Sequence, residues 1–256
     1  MAAPASYGVG FTKKLHRRAE GLTDPSNIKL PSQFYVLVTG AGKGIGIHLA
    51  LAYAKAGASG IVISSRTKSD LDDLTQKIAE INKDVKVLAM VADTTNDDHL
   101  SAIVAATTST FGHLDVVIAN AGIISRYLDP GTPAQRLPSG IIEDGGWEDV
   151  FNINLSGVYK TARFFMPLLI AAPPSSPKAF IGMTSIACHT TDSSFVPIAY
   201  SVSKIAVNRF VEILANDHGV GKEGILAFAM HPGGVVTAQT EGHPGEGWQK
   251  GKCPFP

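Results

Sequence analysis

Short apolar runs alternate with stretches of helical spacing along most of this chain. Phe34–Val38 is an apolar run of strand length that ends at a cluster of glycines, which predicts a buried strand. Ile45–Lys55 carries apolar residues at helical spacing and stops at Gly57, so a helix is expected there. Ile61–Ser64, Val85–Val91 and Val116–Ala119 predict three more strands, with helices over Asp70–Ile81 and Leu100–Phe111 between them. Trp147–Leu169 predicts one long helix and Lys178–Met183 a fifth strand. Pro197–Asp217 then predicts a helix, and Ile225–Met230 a sixth strand. Strands that alternate with helices predict an α/β fold, a doubly wound parallel sheet covered on both faces and wound by right-handed crossovers.

The flanks look different. Residues 1–33 lack periodicity and read as a partly disordered extension, and 34–237 as a single domain. Ser125–Gly146 is rich in Pro and Gly and reads as a surface loop on the rim of a cleft. After Pro232-Gly233-Gly234 only 22 residues remain, mostly Gly, Pro and polar, so 238–256 reads as a short irregular tail with no last strand.

Composition narrows the function classes. A chain of 256 residues that is 45% hydrophobic supports one sizeable core. A formal net charge of zero argues against nucleic acid or an anionic membrane as partner. The longest apolar run, Phe164–Ala172, is interrupted by Pro167 and is too short to span a bilayer. The two cysteines, Cys188 and Cys253, provide neither a disulfide framework nor metal-ligand spacing. A cytoplasmic location without a metal is expected. Lys13, Lys14, Arg17 and Arg18 read as a solvated leader, with a transit segment as the alternative.

Two motifs carry the chemistry. Thr39-Gly40-Ala41-Gly42-Lys43-Gly44-Ile45-Gly46 lies between a predicted strand and helix. Glycines there permit a tight turn and close approach to a pyrophosphate, which the helix N-terminus attracts. No Asp or Glu occurs from Phe34 to Ser69, and the second strand ends in Ser64-Ser65-Arg66. An acid at that strand end would bind the ribose hydroxyls of NAD, whereas Arg66 and Lys43 suit a 2′-phosphate, so NADP(H) is the expected cofactor. Far downstream, Tyr200 and Lys204 stand at i and i+4, on one face of the predicted helix. An ammonium beside a phenol should lower the phenol's pKa and prepare it for proton transfer at a carbinol oxygen.

With these motifs in hand, the chain resembles the short-chain dehydrogenase/reductase family over about residues 34–237. The matching signals are Thr39–Gly46, Asp93, Asn120-Ala121-Gly122, Asn154 in Ile153-Asn154-Leu155-Ser156-Gly157, a serine after strand five, Tyr200-x-x-x-Lys204, and Pro232-Gly233. The resemblance implies a Rossmann-like sheet and cofactor contacts from Gly40, Lys43, Gly44, Ile45, Gly46, Ser65 and Arg66. It implies an adenine contact from Asp93, a sheet-steadying role for Asn120, and nicotinamide contacts from Val235 and Thr237. Asn154 would hold a water that links Lys204 to solvent, and Lys204 would also bind the nicotinamide ribose. The family usually places its serine about 13 residues before the tyrosine, a position held here by Ala187. Ser185, 15 residues before Tyr200, is assigned the role of binding the substrate carbonyl, with a two-residue insertion near His189–Ser194 restoring the geometry. Cys188 is read as a small buried hydrophobe, His48 as a surface or packing residue and His231 as a packing residue, with lining of the cofactor cleft as the alternative.

The function this implies is an NADP(H)-dependent oxidoreductase that interconverts a carbonyl and a secondary alcohol by tyrosine-assisted hydride transfer. Ile141, Ile142 and Phe195 hint at an apolar small-molecule substrate. The family habit of pairing its long helices implies a homodimer or homotetramer. The alternatives are a nucleotide-binding sensor or regulatory module, and a truncated, inactive family member.

Overall fold

The computed structural model describes residues 19–124, 146–191 and 196–239. Six strands form one parallel sheet: β1 (Tyr35–Thr39), β2 (Gly60–Ser65), β3 (Lys86–Val91), β4 (Val116–Ala119), β5 (Ala179–Met183) and β6 (Leu226–Met230). Their order across the sheet is β3-β2-β1-β4-β5-β6. The chain winds outward from β1 in one direction and then, after β4, in the other. Side by side at the centre, β1 and β4 pair Val36, Leu37 and Val38 with Val116, Val117 and Ile118. Both are almost wholly buried, which is why these strands read as unbroken apolar runs and not as alternating ones.

Helices cover both faces. On one lie α1 (Ile45–Lys55) and α2 (Lys68–Ile81); on the other lie α3 (Asp97–Phe111), the helical stretch 147–170 and α6 (Ile198–His218). Successive strand residues point to opposite faces. Val36 and Val38 accordingly pack with Ala50, Ala54, Leu71 and Leu74, whereas Leu37 packs with Leu100, Phe165 and Val207.

Element types agree with the sequence reading, with two refinements. The helix ends move by a turn or less: α3 starts at Asp97, where the Asn96 side chain accepts a hydrogen bond from His99 N at 3.1 Å. The expected single helix Trp147–Leu169 is three pieces in continuous succession, α4 (Trp147–Phe151), a π-helical turn (Asn152–Ser156) and α5 (Gly157–Ile170). The π turn inserts an extra residue and turns Asn154 inward, where its side chain is fully buried.

Among the described residues no seventh strand joins the sheet, and β6 forms one edge with Phe228 about half exposed. No helix of the described residues is long and apolar enough to cross a membrane. The basic cluster at 13–18, the loop residues 125–145, Phe195, Cys253 and the tail from 240 lie outside the described residues.

Candidate active site

The glycine turn between β1 and α1 sits at the carboxyl end of the sheet, where the strand order reverses. Open α/β sheets bind ligands in that crevice. Gly40 has φ of +62° and passes so close to the next loop that a Cβ on it would stand 2.7 Å from Ala121 Cα. Gly46 has no room for a Cβ either, because Ala41 Cα and Asn120 Nδ2 both lie 2.8 Å from where it would be. Gly44, at φ +55° and ψ −129°, caps α1 in a conformation that side chains avoid. Ile45 opens α1, so the backbone N–H groups of the first helical turn follow directly from this cradle. These residues fit a dinucleotide pyrophosphate.

Asn120 holds the turn. Its Nδ2 donates to Thr39 O at 3.0 Å and Gly40 O at 3.2 Å. Thr39 entered the sequence reading only as the first residue of the glycine motif, with no role of its own. Its buried hydroxyl accepts from Asn120 N at 3.0 Å and Ala121 N at 3.2 Å and donates to Ile118 O at 3.4 Å. A buried threonine ending an otherwise apolar strand was the available signal.

At the far end of the crevice, Ser65 Oγ and Asp70 Cβ approach Gly42, at 2.7 and 3.0 Å from the point a Cβ would occupy. Lys43 Nζ stands 3.6 Å from Asp70 Oδ2. Arg66 is exposed. Asp93 is not an open carboxylate, since its Oδ1 accepts from Thr95 N and Thr95 Oγ1, each at 2.8 Å. Burial works against ionisation of Asp93, but these bonds, with Arg66 and His99 nearby, hold its carboxyl below the usual range.

Opposite the glycines, α6 brings Tyr200 and Lys204 to the end of β5. Tyr200 is half-buried, and Lys204 is only 3% exposed. Lys204 Nζ donates to Met183 O at 2.8 Å and stands 5.5 Å from the centroid of the Tyr200 ring. The electrostatics reverse one sequence-based expectation. Burial raises the Tyr200 phenol above its ordinary value, against the lowering effect of a hydrogen bond with Ser185, and Cys188 adds to the rise. The group brought toward neutrality is the lysine, whose pKa desolvation pushes down to about 8. Spacing on a helix told which residues are neighbours; it carried no information on how deeply α6 buries them.

Asn154 completes the cluster through backbone and hydroxyl partners. Its Oδ1 accepts from Ile123 N at 2.8 Å, and its Nδ2 donates to Ile123 O at 2.9 Å and Ser203 Oγ at 3.2 Å. Gly122 separates it from the lysine. A Cβ there would stand 3.2 Å from Asn154 Oδ1 and 3.5 Å from Lys204 Nζ, so both polar groups face one spot. Ser203, inside the Tyr–Lys motif, is a second residue that the sequence reading left unused.

Ser185 follows β5, and its Oγ accepts from Ala187 N at 3.2 Å, which starts the short 3-10 turn Ile186–His189. The same side chain reaches Tyr200 despite the longer spacing between them. Ser201 Oγ fastens this turn to α6 by donating to Ala187 O at 2.7 Å and Thr190 O at 3.2 Å. Cys188 is buried as expected, and Asn208 Nδ2 donates to its Sγ at 3.1 Å. Past β6 the chain crosses back over the crevice. Thr237 Cγ2 lies 3.2 Å from where a Cβ on Gly44 would be, and the Gln239 side chain bonds Gly122 O and Ile124 N, each at 3.1 Å. Val235 lies on the same segment and is half-buried. His48 is exposed, and so is His231, which therefore does not pack as expected. No cluster of potential metal ligands occurs among the described residues.

This arrangement can hold a dinucleotide along the strand ends and present a phenol, a serine hydroxyl and an amine to a second molecule. Known proteins agree with it. A family model for short chain dehydrogenases matches residues 35–244. Short chain dehydrogenase pgmD of Aspergillus terreus is 34% identical over 243 residues, covering 92% of this chain and 74% of that protein. Short chain dehydrogenase pigC of Monascus ruber is 31% identical over 242 residues, covering 93% of this chain and 73% of its own length. Among solved structures, a putative short-chain dehydrogenase/reductase from Burkholderia xenovorans superposes with a TM-score of 0.65 at 28% identity, covering 80% of this chain and 78% of that one. A putative short chain dehydrogenase from Shigella flexneri shares the fold with a TM-score of 0.71 at 23% identity, covering 87% of this chain and 86% of that one. By its glycine cradle, its Tyr200–Lys204 helix and these matches, the chain belongs to the short-chain dehydrogenase/reductase family of oxidoreductases.

Proposed function

We propose that this protein is an NADP(H)-dependent oxidoreductase that interconverts a carbonyl and a secondary alcohol on a small, apolar metabolite, and that it works as a carbonyl reductase. The observation that carries the reading is Tyr200, half-buried beside the glycine crevice with Ser185 on its hydroxyl and Lys204 under its ring. A nicotinamide cofactor, when bound, supplies the hydride equivalent. Gly40, Gly44, Ile45 and Gly46 would hold the pyrophosphate, and Lys43, Ser65 and Arg66 the adenosine ribose, with Asp93 at the adenine. Val235 and Thr237 border the nicotinamide end, and Lys204 reaches its ribose.

Ser185 Oγ–H donates to the substrate carbonyl oxygen and fixes its position. Tyr200 Oη–H gives its proton to that oxygen as negative charge develops there. A phenol pKa raised by burial keeps this proton in place at neutral pH, which suits reduction better than the reverse reaction. Lys204, at about 8, exchanges protons near neutrality and refills the site, with Asn154 fixing the loop beside it. Two proteins that share this fold, the Shigella flexneri enzyme and RhlG of Pseudomonas aeruginosa, are described as NADP complexes, which favours the phosphorylated cofactor. The outer faces of α5 and α6 leave Tyr159, Val202, Ile205 and Ile213 about half exposed, consistent with a homodimer or homotetramer.

The test is a panel of apolar ketones and aldehydes scored for loss of NADPH absorbance. Tyr200→Phe is expected to lower turnover by at least about 100-fold while NADP+ binding stays within about twofold. Turnover that survives in Tyr200→Phe would remove the phenol from the mechanism.

A further inference from the structure

We propose that Asp70 tempers the NADP(H) preference of this crevice by opposing the 2′-phosphate, so that the margin over NAD(H) is narrower than Lys43 and Arg66 alone would give. The inference rests on the cofactor reading above and adds a determinant to it. Counting along the chain finds no acid between Phe34 and Ser69, and folding then supplies one. The connection from β2 to α2 is so short that the first turn of α2 returns to the glycine loop, with Asp70 as its third residue. Ser65 Oγ and Asp70 Cβ converge on Gly42, at 2.7 and 3.0 Å from the place of its missing Cβ. Lys43 closes the group from outside, 3.6 Å from Asp70 Oδ2.

The two partners are not equivalent. The Asp70 side chain is 22% exposed and that of Lys43 is 74% exposed. The carboxylate is therefore the fixed member of the pair and the ammonium the movable one. Any phosphate gripped by Lys43 stands within a few ångströms of that fixed negative charge, in a place only partly open to screening water. A ribose hydroxyl meets the opposite situation, because the carboxylate accepts its hydrogen bond. The second cation is drawn the same way, since Arg66 lies near enough to Asp93 to favour its ionised form. Each positive charge that the sequence offers to a phosphate thus faces a carboxylate in the fold.

A bland reading competes with this one. An acid in the first turn of a helix, paired with an exposed lysine, adds a little to helix stability and nothing else. Such a role would alter melting without distinguishing one nucleotide from another.

Isothermal titration of 2′,5′-ADP and 5′-AMP into the wild-type chain and Asp70→Asn separates them, and it needs no substrate. In Asp70→Asn the Kd for 2′,5′-ADP is expected to fall about tenfold, the effect of one unit charge a few ångströms away at a half-screened site. The Kd for 5′-AMP should stay within about twofold or rise, and added salt should shrink the difference between the two proteins. Lys43→Gln should weaken 2′,5′-ADP alone. Weaker 2′,5′-ADP binding in Asp70→Asn would make Asp70 an anchor that aims Lys43 and would overturn the proposal. Equal changes for both probes, or an unchanged ratio, overturn it and leave the cofactor assignment standing. A wild-type chain that binds neither probe, nor NADP+ nor NAD+, overturns both.

Discussion

Lys204→Met should make this protein more stable while ending its turnover, because the ammonium is held almost entirely out of water. The lysine is 3% exposed, and its one described hydrogen bond runs to Met183 O at 2.8 Å. Burial lowers its pKa from 10.5 to about 8. At about 1.4 kcal/mol per tenfold change in proton affinity, the charged group opposes folding by about 3 kcal/mol near neutrality. Methionine has a similar stem and no charge. Leaving the Met183 carbonyl without its donor returns about 1–2 kcal/mol of that gain. The net expectation is a variant about 1–2 kcal/mol more stable, which raises Tm by a few degrees for a chain of this size. The pH dependence fixes the sign. Between 8 and 10.5 the unfolded chain binds the lysine proton and the folded one does not, so wild-type stability gains on the variant as pH rises through that window. Below 8 the deficit is constant. Urea unfolding of both proteins near neutrality and again toward the upper end of the window measures the gap at each pH. A variant that is less stable than wild type near neutrality, with a gap that does not change with pH, would refute the argument from desolvation.

Two further substitutions probe the cradle. Gly46→Ala would place a methyl group 2.8 Å from Ala41 Cα and Asn120 Nδ2 and against the Gly40 carbonyl, and rigid backbone there cannot yield. It is expected to lose about 2–3 kcal/mol in urea unfolding and to weaken dinucleotide binding at least about tenfold. Thr39→Val keeps the shape of the side chain but removes the acceptor of Ala121 N–H and one of the two acceptors of Asn120 N–H, which keeps Ile118 O at 3.0 Å. A loss of about 1–3 kcal/mol is expected from the same measurement, and near-neutral behaviour would show that water replaces the hydroxyl.

What could be read before folding was periodic or glycine-marked. The central strands announced themselves as apolar runs because they are buried on both faces, and the cradle did so because Gly40, Gly44 and Gly46 have no tolerable substitute. Ser185 and Tyr200 were paired across an unusual spacing, and the insertion expected near His189–Ser194 lies partly outside the described residues. The π turn was not legible, since one extra residue in a helix leaves the apolar pattern on either side intact. The direction of the Tyr200 shift was lost for another reason: it depends on depth, to which α6, β5 and the 3-10 turn all contribute. Asp70 escaped because proximity to Lys43 is made by a tight βα connection and not by sequence distance.

The pairing of β1 with β4 also governs how this polypeptide is born. Tyr35 N–H reaches Asp115 across 80 residues, and the amide that locks the first glycine turn, on Asn120, comes 81 residues after Thr39. Closing so large an arc is entropically slow, and nothing local rewards the attempt until the fourth strand leaves the ribosome. Until then the first three strands lack the neighbour on which their inner edge depends. Nucleotide capture in the cell would thus wait until the fourth strand, and the asparagine that follows it, have emerged and docked.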